Sequence, residues 1–282
     1  MQLGVFAKTF VRDSPEENLD AVCQYGFECT QYNFVCAGLP TLPNKIDAEL
    51  CERVRVAHVE RGLTMAAVSG TFNIIHPDRQ LLQANLKRLD ILAHVCRQLN
   101  TRLITLCTGT RDPQNMWRAH PENDSPAAWN DMLTSMRQIV NIAEASDVMV
   151  GIEPEINNVV NSALKARRLL DQLNSPVVKI VMDPANLFQV GQSERMHQVM
   201  DDAFRHLSSD IAVAHAKDLS DDADIGYSPA GKGILDYDYF LKLLDKYEFN
   251  GALITHGLSE SQVPECVRFL HAKLDRTTEI NH

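Results

Sequence analysis

The sequence predicts an α/β fold, a single-domain (β/α)8 or TIM barrel, and three observations predict it. The chain has 282 residues, the usual length of one eight-stranded barrel. Short apolar runs alternate eight times with longer amphipathic segments, at a mean period of about 35 residues. The first run is followed by Ala7-Lys8-Thr9-Phe10-Val11, whereas a doubly wound open sheet normally carries a glycine-rich phosphate turn there. The barrel is expected over residues 1–275, with a polar, frayed tail at 276–282.

Strands are expected at 3–10, 28–34, 64–69, 103–107, 148–153, 177–182, 211–214 and 252–255, each followed by a helix. Ser14-Pro15 supplies an N-cap and a first-turn proline, which open the first helix. The second, 47–61, stops at Gly62, a C-cap residue. The third, 79–99, repeats Leu and Ile at helical spacing and stops at Asn100. Helices at 126–145, 162–173, 194–207, 236–247 and 261–274 complete the set. The connection 108–125 is long and rich in Pro, Asn, Asp and His; such loops in compact domains are commonly functional.

Bulk composition narrows the function classes. Hydrophobic residues make up 45%, enough for a sizeable core. Lys and Arg total 27 against 37 Asp and Glu, a net charge of −10. That charge repels a phosphate backbone, and no basic run offsets it, so no nucleic-acid partner is expected. No membrane partner is expected either: no window has the apolar length to span a bilayer, and no Lys/Arg-rich amphipathic helix stands out. The seven cysteines are odd in number and none has C-x-x-C spacing. A reducing compartment follows, without a disulfide framework or zinc-thiolate site. Lys8 interrupts the short apolar start, so no signal segment is expected and the location is read as cytoplasmic.

Barrel active sites lie at the C-terminal ends of the strands. Strand five ends in Ile152-Glu153-Pro154-Glu155, strand six in Met182-Asp183-Pro184-Ala185-Asn186, strand seven in Ala214-His215-Ala216-Lys217-Asp218, and strand eight in Thr255-His256-Gly257. A charged or imidazole group at the end of an apolar strand must meet solvent or a partner. Taken singly, His256 reads as a satisfied loop residue, Asp183 as the start of an Asp-Pro turn and Glu153 as a solvated acid. Four successive strands ending in Glu153, Asp183, His215 and His256 point instead to convergence at the barrel mouth. Two carboxylates and two imidazoles suit one divalent Mn, Zn, Fe or Co ion better than Mg.

At these residues the chain resembles the xylose isomerase-like TIM barrel superfamily, the sugar phosphate isomerases and epimerases. Gly26-Phe27-Glu28 resembles the family's lead-in to strand two. Ile152-Glu153-Pro154 and Val181-Met182-Asp183 resemble its strand-five and strand-six ligand motifs. Ala214-His215-Ala216-Lys217-Asp218 resembles its H-x-K-D motif, and Gly231-Lys232-Gly233-Ile234-Leu235-Asp236-Tyr237 its segment before the seventh helix. The resemblance implies metal ligands at Glu153, Asp183 and His215. It places His256 where the family has a strand-eight Glu, Asn186 where its epimerases have a His, and Asp221 near the position of a substrate-binding Arg. The family's dimers and tetramers make a homo-oligomer the analogous expectation.

The implied chemistry is metal-assisted proton transfer beside the carbonyl of a small sugar or polyol, through an enediolate. Glu153 or His256 is the expected base. Glu155 shares strand parity with Glu153 and is a second acid-base or substrate-binding candidate, with a solvated loop Glu as the alternative. Asn186, Lys217, Asn73, Trp117 and His120 are the other substrate-binding candidates. His76, after strand three, is a further mouth residue, and Arg111 and Arg118 are candidates to hold a phosphate or carboxylate, with solvated loop arginines as the alternative. Two alternatives remain at this stage: an inosose dehydratase-like lyase, and a sugar-binding barrel whose catalysis changed with loss of the strand-eight Glu. An endonuclease IV-like role conflicts with the net charge and the sparse ligand set.

Overall fold

Eight parallel strands close into a barrel in the computed structural model, which describes residues 1–189, 191–220 and 228–280, with side chains to 275. The strands are β1 (Gln2–Phe6), β2 (Cys29–Tyr32), β3 (Thr64–Ser69), β4 (Leu103–Cys107), β5 (Met149–Glu153), β6 (Val178–Met182), β7 (Ile211–Asp218) and β8 (Ala252–Thr255). Each pairs with the next, and β8 returns to β1 through Gln2↔Ala252 to Val5↔Thr255. The outer ring is α1 (Pro15–Gln24), α2 (Ala48–Glu60), α3 (Arg79–Val95), α4 (Pro126–Ser146), α5 (Ala163–Leu173), α6 (Met196–Leu207), α7 (Tyr237–Lys246) and α8 (Val263–Ile280). Ser14, Asp78, Ser125, Ser162 and Asp236 each cap a helix by accepting a backbone N–H of its first turn.

Strand parity creates two cores. One set of alternate residues packs outward against the helices. The other fills the barrel interior: Phe6, Cys29, Ala67, Leu103, Val181, Val213, Ala252 and Ile254 form a separate buried cluster. Space there is tight enough that a Cβ on Gly4 would stand 2.5 Å from Cys29 Sγ and 2.6 Å from Ile254 Cδ1. Two residues further along each strand the same parity reaches the mouth, and there the side chains turn polar.

The expected elements are all present, with shifted ends. β1 stops at Phe6 because Ala7–Thr9 form a 3-10 turn. Asn18 holds that turn by donating to Ala7 O at 2.9 Å and Phe10 O at 2.6 Å. β7 runs on to Asp218, since Lys217 and Asp218 pair antiparallel with Pro229 and Ser228. α8 runs through Ile280, into the stretch expected as a tail. Residues 281–282, and Asp221, lie outside the described residues.

One histidine couples the fold to pH. His58 on α2 is buried; its Nδ1–H donates to Val54 O at 2.8 Å, and Nε2 lies 3.0 Å from Thr30 Oγ1, which donates to it. Burial, helped by nearby Arg61, depresses its pKa to about 4. The unfolded chain takes up this proton below roughly pH 6.5, while the native ring stays neutral down to about 4. Its contribution is therefore complete above pH 6.5 and falls away between 6.5 and 4, by roughly 3 kcal/mol in all. Denaturant titrations of His58→Gln across that window are expected to give a flatter pH dependence than wild type. Parallel curves would show that His58 does not titrate with unfolding.

Candidate active site

The polar layer at the C-terminal ends of the strands borders a cavity of about 720 Å³. Glu153, His215 and His256 line it, and Asp183 is buried behind them. One donor atom from each of the four lies within 4.8 Å of the others. His256 Nε2–H donates to Asp183 Oδ2 at 3.0 Å. His215 Nδ1 stands 3.6 Å from Glu153 Oε1 and 3.8 Å from Asp183 Oδ2, buried and without a hydrogen-bond partner. A buried imidazole nitrogen aimed at two carboxylates, with no protein partner of its own, suits a divalent cation that would take the place of its proton. By that test the residues present fit a metal ion.

A second chain of polar groups leads into the cluster. Lys217 Nζ donates to Asn186 Oδ1 at 2.8 Å and pairs with Asp183 Oδ2 at 3.1 Å. Asn186 Nδ2 in turn donates to Glu153 Oε1 at 2.7 Å. Asn186 therefore joins the ammonium to the strand-five carboxylate and fixes both. Asp183 also anchors its own turn, accepting from Ala185 N at 2.9 Å.

Burial and charge oppose each other here. Burial works to raise the Asp183 carboxyl, but the Lys217 charge, the facing His215 imidazole and the His256 hydrogen bond outweigh it and hold it well below the carboxylate range. Burial disfavours the His215 imidazolium, yet Glu153 and Asp183 raise it to about 9. His256 moves the other way, lowered by burial and by its neighbour His215. Glu155 is pushed up to about 7, first by burial, with Lys217 pulling against it and Glu153 adding to it. Lys217 stays charged: burial is outweighed by Asp183, Glu153 and Glu155.

The other sequence candidates divide. Glu155, Asn186, Lys217 and Trp117 line the cavity. Asn73 and His120 are not among its lining residues. Asn73 is spent on the loops, donating to Thr110 O at 2.8 Å and accepting from Thr110 N and Ile75 N. His120 caps the turn Pro121–Asp124, accepting from Glu122 N. His76 holds Asp78 N, while Arg111 and Arg118 pair with Asp131 and Asp112.

The long loop after β4 is thereby a built wall. Asn158 Oδ1 takes Gly109 N at 2.6 Å, Asn158 Nδ2 holds Met116 O, and Asn157 Nδ2 holds Trp117 O at 3.0 Å. These bonds set Met116 and Trp117 at the cavity. Gly109 has φ +75°, and a Cβ there would stand 2.1 Å from Asn73 Oδ1. Gly109→Ala is expected to cost about 3 kcal/mol, from the left-handed backbone and the displaced amide together. It should also speed proteolysis within 111–120. Unchanged denaturation and cleavage would show that the loop does not depend on this packing.

Several lining residues escape the sequence motifs. Lys8, Gln31, Ser69 and Thr71 all face the cavity. Their signal is parity alone: each lies two residues beyond a residue of the interior cluster, or four in the case of Thr71. Asp218, the last residue of the H-x-K-D motif, has a structural task. It accepts from Leu219 N, Gly231 N and Leu235 N, each at 2.9 Å, and clasps the glycine-rich segment before α7.

Comparison with known proteins agrees with this architecture. The sequence model of the family described as "Xylose isomerase-like TIM barrel" matches residues 19–272. No curated protein matches the chain. Among solved structures, a D-tagatose 3-epimerase-like protein superposes with a TM-score of 0.78 at 13% identity, over 100% of both chains. A probable 3-DHS dehydratase involved in petrobactin synthesis, from Bacillus anthracis, gives 0.74 at 14%, over 96% of this chain and 99% of that one. An IOLI protein with a bound zinc atom gives 0.71 at 14%, over 95% of each. At these identities the likeness is one of fold.

Proposed function

The chain belongs to the xylose isomerase-like TIM barrel family, and on that premise we propose that it is a sugar isomerase or epimerase. In this reading it moves a proton beside the carbonyl of a small sugar or polyol, with one divalent metal held by Glu153, Asp183, His215 and His256. The observation that carries the reading is the four-donor cluster at the wall of a cavity lined with hydroxyls and amides. Neighbours named as an epimerase-like protein, a dehydratase and a zinc-bound protein support the substrate class and the metal.

When bound, a Mn, Zn, Fe or Co ion supplies Lewis acidity that polarises a carbonyl and stabilises the charge left by proton loss. The protein's own groups do the rest. Glu153, held by Asn186, is a fixed carboxylate base at the cavity wall. His256 gives its Nε2–H to Asp183, which leaves one lone pair, on Nδ1 of the neutral ring, to hold the metal or, where the other three groups hold it, to act as a second base. Glu155, with its pKa near 7, can hold or release a proton at neutral pH. Lys217 adds fixed positive charge, and the hydroxyls of Thr9, Ser69 and Thr71 offer partners to sugar hydroxyls. Trp117 presents a ring edge or face to the aliphatic side of a sugar.

The seven thiols are all free, six of them buried, which supports a reducing, cytoplasmic setting. Among the described residues no helix is long and apolar enough to cross a membrane. A homo-oligomer remains part of the proposal by analogy with the family.

The test is a panel of ketoses and inososes with metal-loaded protein, products being read by NMR. Glu153→Gln is expected to lower turnover on the order of 10²–10⁴-fold. Full turnover with metal retained would remove Glu153 from the chemistry. Loss of water in place of epimer formation would turn the assignment to a lyase, and binding without turnover to a sugar-binding barrel.

A further inference from the structure

We infer that Gln31 is a positioning residue for His215: its side-chain carbonyl holds the imidazole with Nδ1 presented to Glu153 and Asp183. The metal-binding consequence rests on the proposed function; the imidazole orientation does not.

Gln31 lies across the barrel from His215, 184 residues away in sequence, and both are buried. The pairing of β2 with β3 shifts register between Thr30 and Gln31. Such an irregularity re-aims a side chain at the rim of a barrel. Thr30 bonds to His58 on the outer helix layer, and Gln31 turns inward. Its Oε1 stands 2.9 Å from His215 Nε2, and its Nε2–H donates to Thr105 Oγ1 at 3.0 Å. Thr105 is itself held, since its backbone carbonyl accepts from Gly70 N and Thr71 Oγ1.

The chemistry of the pair is one-directional. A carbonyl oxygen only accepts, so His215 Nε2 must carry a proton. In the neutral ring the lone pair then lies on Nδ1, the nitrogen that faces both carboxylates and has no protein partner. With the amide turned over, its NH2 would donate to Nε2, and the proton would move to Nδ1, where it blocks a metal. A histidine ligand commonly has its second nitrogen fixed this way, and losing the partner weakens metal binding by roughly 10–100-fold. Gln31 supplies that partner here, and Thr105 keeps the amide in reach.

The test compares Gln31→Glu, Gln31→Met and Thr105→Val with wild type by Mn²⁺ titration without substrate, followed by electron paramagnetic resonance. Gln31→Met is expected to bind Mn²⁺ roughly 10–100-fold more weakly. Gln31→Glu, which can only accept, should stay within about threefold of wild type, and Thr105→Val should fall between. Nitrogen NMR of the metal-free proteins, with the ring neutral, should place the proton on Nε2 in wild type and Gln31→Glu. In Gln31→Met it should be shared between the two nitrogens. Equal Mn²⁺ affinity in Gln31→Met and wild type, or a Gln31→Glu variant as weak as Gln31→Met, would overturn the positioning role. If wild type takes up no Mn²⁺, the metal reading fails, and the proton's place in the NMR spectra alone decides for or against Gln31.

Discussion

Asp183→Ala is expected to abolish divalent-metal binding and to lower turnover on the order of 10³-fold or more. Asp183 is the hub of the site: it is fully buried, takes the His256 N–H and pairs with Lys217, while His215 faces it at 3.8 Å. Removing the carboxylate leaves a buried ammonium without its closest counter-charge and an imidazole without its acceptor. The metal-free variant should therefore also lose roughly 3–5 kcal/mol of folding stability. Elemental mass spectrometry of the untagged proteins measures the first effect and denaturant unfolding the second. About one metal per chain in the variant, as in wild type, would take Asp183 out of the ligand set.

Lys217→Met should have a comparable effect on stability with the opposite response to metal. Lys217 is the buried cation among Glu153, Glu155 and Asp183. Without it, the metal-free cluster holds uncompensated negative charge, at a cost of roughly 3–5 kcal/mol. A divalent ion replaces the missing charge, so added Mn²⁺ or Zn²⁺ should stabilise Lys217→Met more than it stabilises wild type. Thermal unfolding with and without metal reads this difference directly. An equal metal-induced shift in both proteins would mean that Lys217 does not share the electrostatic field of the four-donor cluster. Asn186, which passes a hydrogen bond from Lys217 to Glu153, links the two effects, so the double variant Asp183→Ala/Lys217→Met should cost less than the sum of the singles.

What the sequence determined by itself is the barrel and the residues at its strand ends. Eight apolar runs at one period can bury both faces of their strands in only a few architectures. Glu153, Asp183, His215 and His256 are legible because each directly follows an apolar run, and the polarity change marks the strand's end. Local rules also sufficed for the helix starts: Ser14, Ser125 and Ser162 cap where they stand. Closure of the barrel decided the rest. Gln31 is one polar residue in a short strand, and nothing beside it in sequence names a partner on β7; only a closed sheet brings the two within 2.9 Å. Asn186 and Lys217 look like independent substrate ligands until the structure joins them to each other and to Glu153 and Asp183. Asn73 and His120 lie in loops whose backbone N–H and carbonyl groups need partners, and those side chains supply them. Parity along one strand sets which way a side chain points, and the strands that face it set what it meets.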